Sequence, residues 1–467
     1  MRTEPFGEEK GCVDKLMSNA MDTFEFMDGA MSFNGMLMIF NLALLLICSF
    51  RWYREYKRTG IFMDYMTGFY FIYIILPILI MYPFSGSYYN VISVGKDIFW
   101  IMGKVDTAYV ISILGFISMV LGTRFSPLLP VSDGYFERII KSNIENYRFE
   151  YFIGVCNFLL LLVLIVICME HPEYIFNVRG VRFIQPSVGL FLNLIMSYAT
   201  IAFLIIFILL IKKITMRRLA LLIPLLFIPI LMGNRSTLII PIITSATIYF
   251  MCGKKIRVHT FIFGALILFS ITVLLSLLRS TAVSDSYNVN QDPVLMFFGE
   301  VLYGNTFSDL RDFAWVLTGF NDSFLYGKTY LSALLGFIPS SLFEYRAIYG
   351  IGDITNYYAG IQFEHFGLRT GVFGESYINF GIFGVVITGF IIGNLLGATN
   401  KLLGKALYKK MDVAYAYSRM FKLYAVSSLF MISANWTSVY VFIVIHGLGY
   451  FISSKLMGKD NKPSVNT

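Results

Sequence analysis

Three arginines of this sequence are suited to holding an anionic ligand. Arg235 lies in GNRST, Arg279 in LLRSTAVSD and Arg369 in GLRTGVFGES, each near the end of an apolar run. An arginine at a membrane boundary is costly unless it snorkels to water or has an anionic partner. Either explanation fits one arginine alone. Three together favour a diphosphate-binding site for a lipid head group, because guanidinium binds phosphate through paired hydrogen bonds.

The segment EHFGLRTGVFGES adds groups that can move a proton. Glu364, His365 and Glu375 all lie within a few residues of Arg369. A carboxylate or imidazole beside arginines can act as a general base on a hydroxyl, so we predict Glu375 or His365 as the catalytic base. Glu364 is predicted to contact substrate. The alternative is a structural ion pair with Arg369. The three glycines of GLRTGVFG favour a bent loop over a regular helix.

Two further groups of side chains have less specific interpretations. Tyr357 and Tyr358 are predicted to stack on sugar rings of a substrate. Asp309, Arg311 and Asp312 in TFSDLRDF are predicted to form the solvated face of an amphipathic helix. The four histidines are scattered, so we expect neither a metal site nor a cofactor.

The composition indicates a polytopic membrane protein. Hydrophobic residues make up 57% of the chain and charged residues only 14%, whereas soluble domains carry about 25% charged residues. The net charge of +8 could suggest nucleic acid as a partner. The basic residues instead form short clusters between apolar runs, as expected for signals of membrane orientation.

Apolar runs long enough to span a bilayer divide the chain. A polar N-terminal tail covers residues 1–30, about eight helices lie within 31–278, about three more within 376–454, and a short tail covers 455–467. The eleven predicted spans lie near 31–50, 65–82, 107–123, 151–169, 187–211, 219–234, 236–253, 260–278, 376–398, 418–434 and 437–454.

The basic clusters predict one topology. A cluster follows every odd-numbered span, which places the N-terminus outside the cell and the C-terminus in the cytoplasm. Residues 279–375 then form a large extracytoplasmic loop, and loops of this length are usually functional. Its apolar pieces 294–303 and 330–343 are too short to span and are predicted to be interfacial or re-entrant helices.

Three short motifs resemble the Wzy-type O-antigen polymerases of bacterial inner membranes, which join oligosaccharide repeat units. GNRSTL (233–238) is similar to the family's arginine turn, and LLRS (277–280) to its arginine at a span end. GVFGESYINFGIFG (371–384) is similar to its entry into a late span. The number of spans and the long late outer loop also fit this family.

The resemblance implies an all-α fold with the general design of the GT-C glycosyltransferases. It implies an inner-membrane glycosyltransferase that transfers a growing glycan from undecaprenyl diphosphate to the next lipid-linked repeat unit, without a nucleotide sugar. Arg235, Arg279 and Arg369 would stabilise the diphosphate leaving group, and Glu375 or His365 would deprotonate the acceptor hydroxyl. A co-polymerase that regulates chain length is an expected partner.

Two alternatives stay open. An O-antigen ligase would share the topology and the arginines but would use a lipid A core acceptor. A transporter of polysaccharide or lipid-linked oligosaccharide would place ionisable residues near the bilayer centre. The predicted spans are nearly free of charge, which favours the enzyme.

Overall fold

The computed structural model describes most of the chain between residues 35 and 456, and the described part is helical with connecting turns. It covers residues 35–57, 69–83, 98–126, 134–175, 177–185, 188–233, 236–254, 307–338, 342–361, 367–408, 411–431 and 436–456, with single positions between 259 and 274. No strand occurs within these ranges.

The long apolar helices coincide with apolar runs of the sequence, and shorter helices lie between them. They are α1 (Gly35–Lys57), a π-helical segment (Phe71–Ile80), α2 (Ile98–Gly122), α3 (Tyr135–Glu145), α4 (Tyr147–Glu170), α5 (Gly189–Lys212), α6 (Met216–Met232), α7 (Ser236–Met251), α8 (Asp309–Gly319), α9 (Lys328–Leu334), α10 (Glu344–Tyr349), α11 (Ile351–Ala359), α12 (Gly371–Tyr408), α13 (Val413–Met431) and α14 (Trp436–Leu456). Every predicted span except 260–278, most of which lies outside the described residues, overlaps one of these helices.

Five helices among the described residues are long and apolar enough to cross a membrane. The qualifying stretches are Gly35–Lys57, Gly103–Phe125, Tyr147–Glu170, Gly189–Lys212 and Gly371–Lys401. Thr237–Met251 and Trp436–Ile452 are apolar but shorter. The architecture is therefore that of an all-α membrane protein. The count of eleven spans and their orientation stay predictions.

Helix α1 belongs to a separate unit of the chain, which extends to Arg54. Apolar side chains cover its surface, and Met36, Ile39 and Phe50 are all strongly exposed. An apolar helix with so little buried surface is typical of a lipid-facing span.

The second unit has its main core around α5. This helix is buried along most of its length and packs against α6, α7 and α14. His446 of α14 is fully buried in the same core. Its Nε2 lies 3.1 Å from the Tyr417 hydroxyl and its Nδ1 lies 3.2 Å from the Asn143 amide. His446 is therefore a buried, hydrogen-bonded residue of this core.

Glycines bring α2 and α12 into close contact. A Cβ at Gly389 would lie 2.4 Å from the Gly115 carbonyl oxygen, and one at Gly393 only 2.0 Å from the Met119 carbonyl oxygen. With Gly397, these glycines recur every four residues and form one face of α12. Small residues at this spacing let two membrane helices approach backbone to backbone.

Helix α12 is broken at Gly381, which has φ 64° and ψ −154°. At the break, the carbonyl of Ile378 accepts a hydrogen bond from the Leu325 N–H, and that of Asn379 accepts one from the Tyr326 N–H (3.1 and 2.9 Å). The sequence predicted a span starting at residue 376. In the structure, residues 371–380 form a separate first part of α12, and the uninterrupted helix starts after Gly381. Residues 382–408 alone are long enough to span.

Candidate functional site

Half of the predicted site residues lie in the described part of the chain. Arg369, Glu375, Tyr357 and Tyr358 are described. The other four, which lie outside the described residues, are Arg235, Arg279, Glu364 and His365. The convergence of three arginines on one diphosphate therefore stays a prediction, as does a role for the histidine.

An acid–arginine cluster lies where α8 begins. The Arg311 guanidinium donates to Asp312 Oδ1 from both Nε (2.9 Å) and Nη2 (2.7 Å). The second oxygen, Asp312 Oδ2, accepts from the Ser308 hydroxyl (2.8 Å) and from the Arg369 backbone N–H (3.1 Å). Arg311 and Asp312 are 7% and 3% exposed. A buried carboxylate with this many donors is held in one position.

The prediction that Asp309, Arg311 and Asp312 form a solvated face of α8 is wrong. Residues 310–317 are all buried, the charged pair included. The reason is that α8 packs against α2, α11 and α12 at once, so its residues 310–317 do not face water. The charge of Arg311 can be buried because Asp312 neutralises it at hydrogen-bond distance.

The loop before α12 fixes the backbone of Arg369. Gly367 has φ 96° and approaches α11 so closely that a Cβ would lie 2.3 Å from the Gly352 Cα. The next N–H, that of Leu368, donates to the Thr355 hydroxyl (3.0 Å). The side chain of Arg369 is exposed. A rigid backbone with a guanidinium exposed to solvent suits the recognition of an anion.

Asp309 is the titratable group of this cluster. Desolvation raises its pKa to about 6, the charge of Arg369 opposes this rise, and the charge of Asp312 adds to it. A Cβ at Gly371, where φ is 65°, would lie 3.6 Å from Asp309 Oδ2. A carboxyl group with a pKa near 6 can accept and return a proton close to neutral pH, which is the property of a general base.

Glu375 has a different environment. Its side chain is 2% exposed, and its Oε1 accepts a hydrogen bond from the Thr329 hydroxyl (2.9 Å). The Asn379 amide donates to the Thr329 hydroxyl (2.7 Å) and to the Glu375 backbone carbonyl (2.9 Å). The adjacent hydroxyls of Tyr330 and Ser376 lie 3.0 Å apart. This network joins α9 to the first part of α12.

The two tyrosines predicted to bind sugar differ in their exposure to solvent. Tyr357 is 78% exposed, whereas Tyr358 is 8% exposed. The Tyr358 ring packs edge-on against Phe320, with ring centroids 5.2 Å apart. Only Tyr357 presents a face on which a sugar ring could stack in this conformation.

The first part of α12 lies beside the middle of α2. A Cβ at Gly115 would lie 2.4 Å from the Phe373 ring, and Gly115 is near the centre of the apolar stretch Gly103–Phe125. Helix α8 also packs along α2. The ionisable groups at the start of α8 and α12 are therefore placed against a span, rather than in a loop remote from it.

Several polar residues of these networks escaped the sequence reasoning. Thr329 and Asn379 were not singled out, although Asn379 follows Glu375 by four residues and so shares its helix face. Arg182 also gains a partner that the sequence does not indicate: burial lowers its pKa, and the nearby charge of Asp353 opposes this shift. The two residues are far apart in sequence.

The arrangement can bind an anion and transfer a proton. Within the described segments, no group of three or more His, Cys, Asp or Glu side chains is placed to hold a metal ion. Comparison of the chain with protein-family models, curated proteins and solved structures gives no match.

Proposed function

We propose that this protein is a membrane glycosyltransferase that polymerises oligosaccharide repeat units carried on undecaprenyl diphosphate. The observation that carries the proposal is the acid–arginine cluster at the start of α8 and α12. Asp309 and Arg369 supply a proton acceptor and a cation that interact electrostatically, beside helices that pack against the span α2. The predicted eleven-span topology and the motif GVFGESYINFGIFG resemble the same family.

In this mechanism, Arg369 binds the diphosphate of the donor lipid and stabilises the charge that develops on it as the glycosidic bond breaks. Arg235 and Arg279 would contribute to the same charge. Asp309 takes the proton of the acceptor sugar hydroxyl as its oxygen attacks the anomeric carbon. As the new bond forms, the bond from that carbon to the diphosphate oxygen breaks, and undecaprenyl diphosphate leaves; a single displacement of this kind inverts the anomeric carbon.

Glu375 has a positioning role in this proposal. Its carboxylate is enclosed and bonded to Thr329, so it would need a conformational change to reach a sugar hydroxyl directly. We assign it instead to holding α9 against the first part of α12. The loop that carries Arg369 precedes that helix directly, so Glu375 would fix the position of the arginine.

A transporter is the second candidate, because one observation favours it. Transporters place ionisable groups near the bilayer centre, and Asp309, Asp312 and Arg311 begin a helix that packs on the span α2. An O-antigen ligase would use the same arginines, and its acceptor would have to be identified by assay.

Liposomes containing the purified protein and an undecaprenyl-diphosphate oligosaccharide test these functions. A polymerase produces a ladder of glycan lengths, which we expect Arg369→Ala and Asp309→Asn to abolish. Asp322→Asn, a change at an exposed acid of the same segment, should leave the ladder unchanged. Product formed only with lipid A core would identify a ligase. Intact substrate crossing the bilayer without new bonds would identify a transporter and refute the enzyme.

A further inference from the structure

Helix α9 has its polar residues inside and its apolar residues outside. Thr329 and Ser332, three residues apart, are 0% and 2% exposed, whereas Leu331 and Leu334 are 46% and 37% exposed. A helix on a water-facing surface shows the opposite pattern, with its apolar stripe turned toward the protein. The inverted pattern fits a helix whose outer side faces an apolar medium.

The inner side of α9 is fastened to the protein by its polar atoms. The Thr329 hydroxyl bridges Glu375 and Asn379, and the Gly327 N–H just before the helix donates to Asn379 Oδ1 (3.0 Å). The Tyr330 ring stacks on that of Phe380. Hydrogen bonds of this kind hold the helix in one orientation, so its leucines are displayed outward by the same contacts.

The outer side of α9 continues onto α14. Phe337, which is 58% exposed, packs edge-on against the Tyr440 ring at 5.5 Å. The Tyr440 hydroxyl donates to the Leu334 carbonyl. Trp436 and Tyr440 lie in the first turns of the apolar helix α14, where aromatic residues typically mark a membrane boundary. Further along α14, apolar side chains such as Ile443 are again exposed.

The start of α9 carries the charge expected at that boundary. The Lys328 ammonium lies 4.7 Å from the centre of the Tyr349 ring and 3.3 Å from its hydroxyl. The lysine is exposed. The helix therefore has a lysine and tyrosines at one end and leucines along one side. This arrangement of residue types is typical of a helix that lies in a bilayer interface.

We propose that α9 and the turn to Phe337 are inserted into the bilayer, with Leu331, Leu334 and Phe337 in contact with lipid acyl chains at the level where α14 begins. The occupant of this surface is membrane lipid. The surface adjoins the exposed apolar face of α14, and contiguous apolar area of this kind is rare on water-facing protein surfaces. This inference is independent of the catalytic activity.

Single-cysteine variants labelled with bimane test the insertion. The native cysteines are first replaced by serine, and the variants are reconstituted into phosphatidylcholine–phosphatidylglycerol vesicles. Labels at Leu331→Cys and Phe337→Cys are compared with Ile443→Cys on α14 as the lipid reference. Tyr357→Cys is the water reference, because Tyr357 is strongly exposed and follows the exposed Asp353 by one helical turn. Thermal unfolding of each variant confirms that it is folded.

We expect lipids with brominated acyl chains to quench the labels at 331 and 337 as strongly as the label at 443, and iodide in the buffer to quench only the label at 357. Iodide quenching at 331 and 337 equal to that at 357 would overturn the proposal. Protection of 331 and 337 from both quenchers would also overturn it, since a second protein surface would then cover this face.

Discussion

Asp309 should make the stability of the protein depend on pH in a defined direction. Its pKa in the folded protein is about 6, compared with 3.8 for the unperturbed group. The folded state therefore binds this proton more tightly than the unfolded state does. Stability from this group is fully present below about pH 4 and is lost as the pH rises to about 6, with no further change above it.

The magnitude follows from the size of the shift. Each pKa unit corresponds to about 1.4 kcal/mol, so a shift of roughly two units sets an upper bound of about 3 kcal/mol. Solvent reaches part of the Asp309 side chain, so we expect roughly 1–3 kcal/mol. Asp309→Asn replaces the carboxyl by a neutral amide of the same shape. The variant should be more stable than the wild type at pH 7.5 by this amount. At pH 4.5 the wild type has lost only about a third of the stability that depends on Asp309, so the advantage of the variant should be correspondingly smaller.

Thermal unfolding in detergent micelles, followed by circular dichroism between pH 4.5 and 7.5, measures the difference between the two proteins. Asp322→Asn serves as the control, because Asp322 is an exposed acid of the same segment and asparagine tolerates its positive φ. If the difference between Asp309→Asn and the wild type were the same at both pH values, the desolvated position of Asp309 beside Asp312 would be wrong.

Three further predictions concern packing and buried polar groups, and all are measured by thermal unfolding in detergent. Gly393→Ala should destabilise by about 1–3 kcal/mol, because its Cβ would collide with a backbone carbonyl of α2. Thr329→Val should cost about 1–3 kcal/mol by removing a donor from a buried carboxylate of α12. Glu150→Gln should cost roughly 3 kcal/mol, because it leaves the little-exposed guanidinium of Arg218 without its ionic partner.

Matched control substitutions show whether the loss of stability comes from the named contact or from any substitution in the same region. Gly447→Ala places a Cβ where no atom lies within 4 Å, so it should be neutral or slightly stabilising; a loss equal to that of Gly393→Ala would contradict the close approach. Thr329→Ser keeps the hydroxyl and should retain most of the stability. If Thr329→Ser were as unstable as Thr329→Val, packing rather than the hydrogen bond would account for the loss.

The positions of the long apolar helices could be predicted because they depend on run length, whereas short helices such as α3 and α10 were not predicted. Apolar runs of about 20 residues identify spans without any knowledge of tertiary contacts. The glycine face of α12 was also readable, since GFIIGNLLG repeats glycine every four residues, but that spacing was not used. The break at Gly381 is harder to predict. It depends on the N–H groups of residues 325 and 326, which donate to two carbonyls that would otherwise accept hydrogen bonds within the helix.

The candidate site was predictable only in part, because burial of charge depends on contacts between distant segments. Arg369 and Glu375 were found from their local motif. Arg311 and Asp312 were predicted to be exposed to solvent because charged residues are rarely buried. The sequence does not show that residues 310–317 of α8 are buried, nor that the N–H of Arg369 bonds to Asp312 from 57 positions away.

The charge balance of the cluster gives Asp309 a further significance. Arg311 and Arg369 carry two positive charges, and ionised Asp309 and Asp312 carry two negative charges, so the four side chains are neutral together. Protonation of Asp309 alone makes the cluster cationic. A bound anionic head group should therefore raise the pKa of the Asp309 carboxyl further, by reciprocity with its tighter binding to the protonated cluster. This coupling would make ionised Asp309 a stronger base toward the acceptor hydroxyl, and the departure of the diphosphate would lower its pKa again and favour release of the proton. It would equally serve a transporter that moves an anion together with a proton. The stability measurement on Asp309→Asn therefore tests the electrostatics common to both functions, and the glycan ladder decides between them.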